Sequence, residues 1–232
     1  INDKLVNYIS KSPLFNDLIK LHIKDSLKEA ELKKSINSFD DISDNVSKKV
    51  KEQYEENPYP RWRYTNVTPK NNFLSILNNA IRPNKIDTIN QNIAENVLIA
   101  GCGTGQQLVS KTSYANSNIV AVDLSLSSLA FAKRKMQELG CENIEFLQGD
   151  LLNLSSLNKK FNVIECVGVL HHLKNPDEGL RILLNILEPN GYLKLGLYSE
   201  YARKHIVEIR KLIKKYNFKS DIMSIRSFRE II

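Results

Sequence analysis

The chain's 232 residues are 42% hydrophobic and 25% charged, the balance of ordinary folded protein, so collagen, coiled coil and wholesale disorder are excluded. Its apolar runs, such as Val97–Ala100, fall far short of the roughly 20 residues a membrane-spanning helix needs, and neither membrane insertion nor a leader is expected. The net charge of +7 is unevenly placed: from Tyr201 onward nine Lys and Arg stand against Glu208, Asp221 and Glu230, which reads as a solvated helical face or as a surface for an anionic partner.

Leu14, Leu18, Leu21 and Leu27 recur at helical spacing, and no Gly interrupts the stretch to about Val50, so residues 1–53 are predicted to form an N-terminal helical segment. Asn57-Pro58-Tyr59-Pro60 forbids helix, because each proline fixes its own φ and pushes the preceding residue into extended geometry. Tyr54–Tyr64 is therefore an extended, aromatic linker. Thr68-Pro69 restarts a helix with Phe73, Leu74, Leu77 and Ile81 on one face, closed by Pro83-Asn84, which completes a second region over 54–95.

After Asn96, short β-branched runs alternate with helical stretches. Strands are predicted at Val97–Ala100, Ile119–Asp123, Ile144–Leu147, Val163–Val167 and Tyr192–Tyr198. Five strands with four intervening helices make residues 96–199 an α/β domain with a Rossmann-like, doubly wound parallel sheet. Leu129, Ala132, Met136 and Leu139 form a helical stripe closed by Gly140, while Asn175-Pro176-Asp177-Glu178 supplies a cap, a first-turn proline and first-turn acids. Pro189-Asn190-Gly191 turns the chain into the fifth strand. Residues 200–232 read as a basic helical segment, with helices over Tyr201–Asn217 and Ser220–Ile232. The chain opens on Ile1 and stops within a helical pattern, so a fragment of a longer protein is expected.

Three features converge on one edge of that sheet. Gly101-Cys102-Gly103-Thr104-Gly105-Gln106 follows a strand and opens a helix, where glycine permits close backbone approach and free N–H groups suit an anionic group. Its spacing is GxGxG, and Gln106 stands where the dinucleotide fingerprint needs glycine. Asp123, 18 residues beyond Gly105, ends the next strand, where a carboxylate can accept from both hydroxyls of a ribose, and Asp150 ends the third. Each Asp has an alternative role as the cap of the helix that follows. Cys102, Cys141 and Cys166 are odd in number, without CxxC or Cys/His spacing, so no metal site is suggested and a reducing, cytoplasmic setting fits.

On these motifs the segment from Asn96 to Ser199 resembles the class I S-adenosylmethionine-dependent methyltransferases. The resemblance implies that Gly101, Cys102, Gly103, Thr104, Gly105 and Gln106 face the methionine part of S-adenosylmethionine. It further implies that Asp123, with Leu124 beside it, holds the ribose, that Asp150 and Leu151 meet the adenine, and that Cys166 and Val167 lie alongside. Members of this class complete the sheet with two more strands, and nothing strand-like follows Tyr198, so the last strands are expected to be missing or displaced by an insertion. A narrower resemblance rests on Gln53-Tyr-Glu-Glu-Asn-Pro-Tyr-Pro-Arg-Trp62 together with Gly105-Gln106-Gln107 and Gly196-Leu-Tyr-Ser-Glu200. It is to a bacterial methyltransferase group that includes rickettsial protein-lysine methyltransferases acting on outer membrane protein B.

The resemblance implies in-line methyl transfer to a lysine of an outer-membrane protein, with no metal. A lysine acceptor must arrive neutral, in a desolvating aromatic channel with a proton acceptor at hand. Tyr59 and Trp62 are expected to line that channel on a lid, Trp62 having the alternative of anchoring the N-terminal helices. His171 and Tyr198 are candidate proton acceptors or substrate contacts. A small-molecule acceptor such as a quinone precursor is the main alternative. Nucleic acid is a lesser one, since N-P-Y-P only partly matches the N/D-P-P-Y motif, and a cofactor-binding regulatory module is the non-enzymatic one. Self-association is left open.

Overall fold

The computed structural model describes residues 3–66, 73–85, 95–111 and 117–231. The predicted helix start at Thr68-Pro69, and the side chains of Phe73 and Leu74, lie outside that description. The chain divides into two compact units, 1–196 and 197–232, so the N-terminal helices share a unit with the sheet.

In the first unit, α1 (Asp3–Val6), α2 (Pro13–Ile19), a π-helical stretch (Lys20–Lys24) and α3 (Asp25–Lys34) lead to a short strand, β1 (Asn37–Ser38). Then follow α4 (Asn45–Glu56), α5 (Phe73–Ala80), β2 (Glu95–Ala100), α6 (Gln106–Lys111), β3 (Ser117–Asp123), α7 (Leu126–Glu138), β4 (Ile144–Gln148), β5 (Phe161–Val167), α8 (Pro176–Ile186) and β6 (Leu187–Gly196). Short 3-10 helices occupy Leu151–Leu157 and Leu170–His172. The second unit holds α9 (Lys204–Lys215) and α10 (Ile222–Ile231).

The strands form one parallel sheet in the order β1-β4-β3-β2-β5-β6. This is the expected doubly wound sheet with one strand added. β1 pairs Asn37 and Ser38 with Leu147 and Gln148, and two residues without apolar alternation leave no trace in a sequence pattern. The crossover from β4 to β5 is a single 3-10 stretch instead of the expected α-helix. The Pro189-Asn190-Gly191 turn lies within β6, where Leu187 and Tyr192 pair with Phe161 and Val163. Five residues thus span the space of two, and Asn190 takes a left-handed φ of 63° to do so.

Both faces of the sheet are buried, which is why β2 reads as an unbroken apolar run. Val97 and Ile99 pack with Leu108, Leu129 and Met136 on one side. Leu98 and Ala100 pack with Leu154, Ile164 and Leu183 on the other. Ser125 caps α7 by accepting from Ser128 N, and Asp44 caps α4 by accepting from Val46 N and Ser47 N. Asn175 stands at the N-cap of α8 without a side-chain capping bond. Pro176 and the first-turn acids start that helix alone.

The N-terminal helices are joined to the sheet layer by buried charge. Arg134 on α7, 3% exposed, meets Asp25 at 3.2 Å, Glu29 at 2.9 Å and Glu138 at 2.7 Å. Arg61 reaches the same Glu29 at 3.0 Å, and both guanidinium groups lie over the Phe131 ring, at 4.8 and 5.1 Å. Removing the shared cation strands the carboxylates in a dry site. Arg134→Ala is therefore expected to cost about 3–5 kcal/mol in urea unfolding, and adding Asp25→Asn and Glu29→Gln should recover part of that loss.

Candidate functional site

Open α/β sheets bind ligands at the carboxyl ends of their strands, beside the point where strand order reverses. Here that point lies between β2 and β5, and a cavity of about 230 Å³ opens there. Its floor is Gly101–Thr104 after β2, Asp123 and Leu124 after β3, Gly149–Leu151 after β4 and Val167–Val169 after β5. Ser47, Val50 and Tyr54 of α4, with Tyr59 and Pro60 beyond it, form the opposite wall.

The glycine turn is folded back on β3. Gly101 N and Cys102 N both donate to the Val122 carbonyl, at 2.8 and 2.9 Å. Gly101 has φ +78°, and a Cβ there would stand 2.2 Å from Val169 Cγ2, so only glycine fits. At Gly103, φ +52°, a Cβ would meet nothing nearer than the Tyr59 carbonyl at 4.0 Å. That glycine leaves open space on the cavity side. Gly105 serves packing instead, since a Cβ there would come 2.8 Å from Ala132 Cβ.

Asp123 accepts from Gly103 N at 2.7 Å and from Ser125 N at 3.0 Å. Burial raises its pKa against those bonds, and the charge of Glu55 adds to the rise. Asp150 is 1% exposed, accepts from Leu152 N at 3.0 Å and caps the 3-10 helix after β4. It also lines the cavity, so the capping and site-lining readings of this carboxylate are met together. β1 steers this strand end: the Phe39 ring occupies the space a Cβ on Gly149 would take, and Asp150 N donates to Asp40.

The aromatic segment lies against the glycine turn. Thr104 Oγ1 donates to the Pro60 carbonyl, and Trp62 Nε1 donates to the Thr104 carbonyl at 3.0 Å. Trp62 packs edge-on to Phe131 with Lys135 Nζ 4.8 Å above its ring. The structure thus places Trp62 in the anchoring position, apart from the cavity lining, whereas Tyr59, 75% exposed, stands at the cavity. Cys166 lies within β5, in the core and apart from the cavity lining, its thiol pushed up to about 12 by burial. Tyr198 belongs to the second unit, where the Arg203 guanidinium lies 3.8 Å over its ring.

Of the paired histidines, His172 lines the cavity and His171 does not, their rings standing 4.4 Å apart. Desolvation lowers the pKa of His172, which favours the neutral imidazole over its cation. Sequence reasoning sets both histidines after the fourth predicted strand and favours His171; it overlooks the α4 wall and Gln107, whose Nε2 donates to the Val167 carbonyl at 3.2 Å. Adjacent histidines at a strand exit are indistinguishable by spacing; only the 3-10 turn decides which one faces in.

Glu55 clasps the wall to the floor. Its carboxylate accepts from Ser125 Oγ at 2.9 Å, Ser127 N at 3.0 Å, Ser127 Oγ at 2.8 Å and Lys33 Nζ at 2.8 Å. A negative charge thus sits at the N-terminus of α7, where the helix dipole favours it. Burial works against ionisation, but the bonds from Lys33, Ser127 and Ser125 outweigh it and hold the carboxyl at about 2.

Residues 91–223, more than half the chain, match the family described as methyltransferase domain. An uncharacterised protein of Synechococcus sp. is 40% identical over 122 residues, covering 50% of this chain and 28% of its own. The ubiquinone biosynthesis O-methyltransferase of Dechloromonas aromatica is 25% identical over 133 residues, 56% of each chain. Among solved structures, PKMT2 from Rickettsia typhi in complex with AdoHcy aligns at 24% identity with a TM-score of 0.49, over 60% of this chain and 28% of that one. The chain thus spans less than two-thirds of the length of each of these proteins.

Because the folded pKa of Glu55 lies below that of an exposed carboxyl, its contribution to stability is complete above about pH 4.5 and is lost as pH falls toward 2. A series of melting temperatures from pH 6 to pH 2 should fall through that window in the parent chain and run flatter in Glu55→Gln. At neutral pH the substitution should cost roughly 2 kcal/mol.

Proposed function

Since the chain belongs to the methyltransferase domain family, we propose that its cavity binds S-adenosylmethionine and that it transfers the methyl group to an amine. The observation that carries this reading is the convergence of Gly101–Thr104, Asp123 and Gly149–Leu151 on one cavity at one sheet edge. The residues fit the cofactor. Gly103 leaves an open cradle on the cavity side, and the Asp123 carboxylate, which accepts from Gly103 N and Ser125 N, lines the cavity where ribose hydroxyls could donate to it. Gly149, Asp150 and Leu151 would hold the adenine, and Gly101–Thr104 the methionine end.

Bound there, the cofactor supplies an electrophilic methyl group on a sulfonium sulfur. The chain's part is to align the acceptor with that methyl group and to exclude water. α4 and the Tyr59-Pro60 segment, secured through Glu55, Thr104 and Trp62, form the wall that does so. Tyr54 and Tyr59 present aromatic surface, which suits a lysine ammonium and its methylated product. His172, which lines the cavity, is the group placed to take the proton that a lysine must lose before it can attack. In this reading the acceptor is a lysine of a bacterial outer-membrane protein, methylated in a cytoplasmic setting. The support for that substrate is the Gln53–Trp62 segment together with the tyrosines at the cavity.

A second reading, a small-molecule hydroxyl acceptor, is favoured by the ubiquinone biosynthesis O-methyltransferase relative. One incubation separates the two. With methyl-labelled S-adenosylmethionine and a cell-envelope extract, mass spectrometry should find label on lysines of an outer-membrane protein. Label confined to lipid-soluble small molecules would replace the acceptor and keep the cofactor site, and no label would leave a cofactor-binding module. In calorimetric titration with S-adenosylhomocysteine, Asp123→Ala should weaken binding by about tenfold to a hundredfold.

A further inference from the structure

The second unit carries a surface that the proposed reaction does not use. Along α9, Ile206, Ile209 and Ile213 share one helical row, with Leu212 and Tyr216 at its edge. Lys204, Arg210, Lys211, Lys214 and Lys215 occupy the opposite arc, opposed in this helix by Glu208 alone. α10 adds Arg226 and Arg229 beside Ile222 and Ile225. The two helices meet through the rings of Phe218 and Phe228, 5.1 Å apart. No described residue from Leu197 to Ile231 is buried, and Tyr216, Ile222 and Met223 are 63%, 69% and 70% exposed. Aliphatic side chains and a surplus of cations are thus presented together.

We propose that α9 and α10 dock this protein on an anionic lipid surface, lying in the interface without crossing it. Charge complementarity selects the occupant class, because nine cations against three acids from Tyr201 onward attract an anionic partner. The uncovered aliphatic groups then choose within that class. A polynucleotide is bound by neutralising its phosphates and gains little from exposed isoleucine and methionine, whereas a lipid surface takes cations at its headgroups and apolar side chains at the acyl boundary. Exposed apolar groups on α2, Leu14 and Leu18, lack this charge surplus: Lys20 and Asp17 there face Glu138 and Arg63. The inference is independent of which acceptor is methylated.

The test is flotation of the 232-residue chain with vesicles of phosphatidylcholine alone and with about 30 mol% phosphatidylglycerol added. The chain should float with the anionic vesicles only. Lys211→Glu with Lys215→Glu should reduce that fraction by roughly tenfold. Leu212→Gln with Met223→Gln, which leaves the charge intact, should reduce it to a similar degree. Failure to float with anionic vesicles, or equal flotation with neutral ones, overturns the proposal. So does undiminished binding by the Leu212/Met223 variant, which would mean a purely ionic surface. The comparison of the two vesicle types by the parent chain decides alone if circular dichroism shows that a variant has lost helix.

Discussion

The shape of the site depends on what the end of β3 does for the turn after β2. A chain leaving a parallel strand through three left-handed glycines has no ladder partner for its N–H groups, and an unpaired N–H in a buried place is costly. The Val122 carbonyl takes two of them, and the Asp123 carboxylate takes a third. The turn is thereby held open at Gly103. The same carboxylate that would meet a ribose is already a structural acceptor. Its raised pKa reflects the cost of holding that acceptor in a desolvating place.

Around that turn the N-terminal region is attached by charged contacts as well as by apolar side chains such as Leu32, Ile36 and Phe39. Glu55 binds the N-terminus of α7, Arg134 gathers Asp25, Glu29 and Glu138, and Arg61 joins the aromatic segment to Glu29. Buried ion pairs contribute little net stability compared with packed hydrocarbon. Their geometry is directional, however, and apart from Arg134–Glu138 within α7, each of these contacts fixes a register between elements far apart in sequence. The first unit accordingly combines a core set by β-branched strands with a cavity wall set by hydrogen-bond donors and acceptors.

These two modes of attachment explain which parts were legible from the sequence. Val97–Ala100 and Ile119–Asp123 are buried on both faces, so their apolar runs appear directly in the residue pattern, and Gly101, Gly103 and Asp123 mark the strand ends. Nothing comparable marks Asn37–Ser38. That strand exists because Phe39 fills the gap over Gly149 and Asp40 accepts from Asp150, contacts made across more than 100 residues. Glu55 likewise falls in a segment read as an extended linker, whereas α4 runs on through Glu56. Trp62 shows the limit from the other side: its place near the glycine turn was legible from the motif order, but the direction of its indole, toward the Thr104 carbonyl, depends on tertiary packing.

The cavity divides its tasks between main chain and side chain. Its floor is chiefly glycine and strand-end backbone, N–H and carbonyl groups that almost any sequence possesses, with Asp123 as the principal charged exception. Such a floor depends little on the side chains around it. The facing wall consists of Ser47, Val50, Tyr54 and Tyr59, side chains whose substitution changes shape and polarity without touching the sheet. In the proposed reaction, discrimination between acceptors would fall to α4 and the segment after it. The clasp at Glu55 and the anchor at Trp62 matter for the same reason: they fix where a wall of side chains meets a floor of main chain.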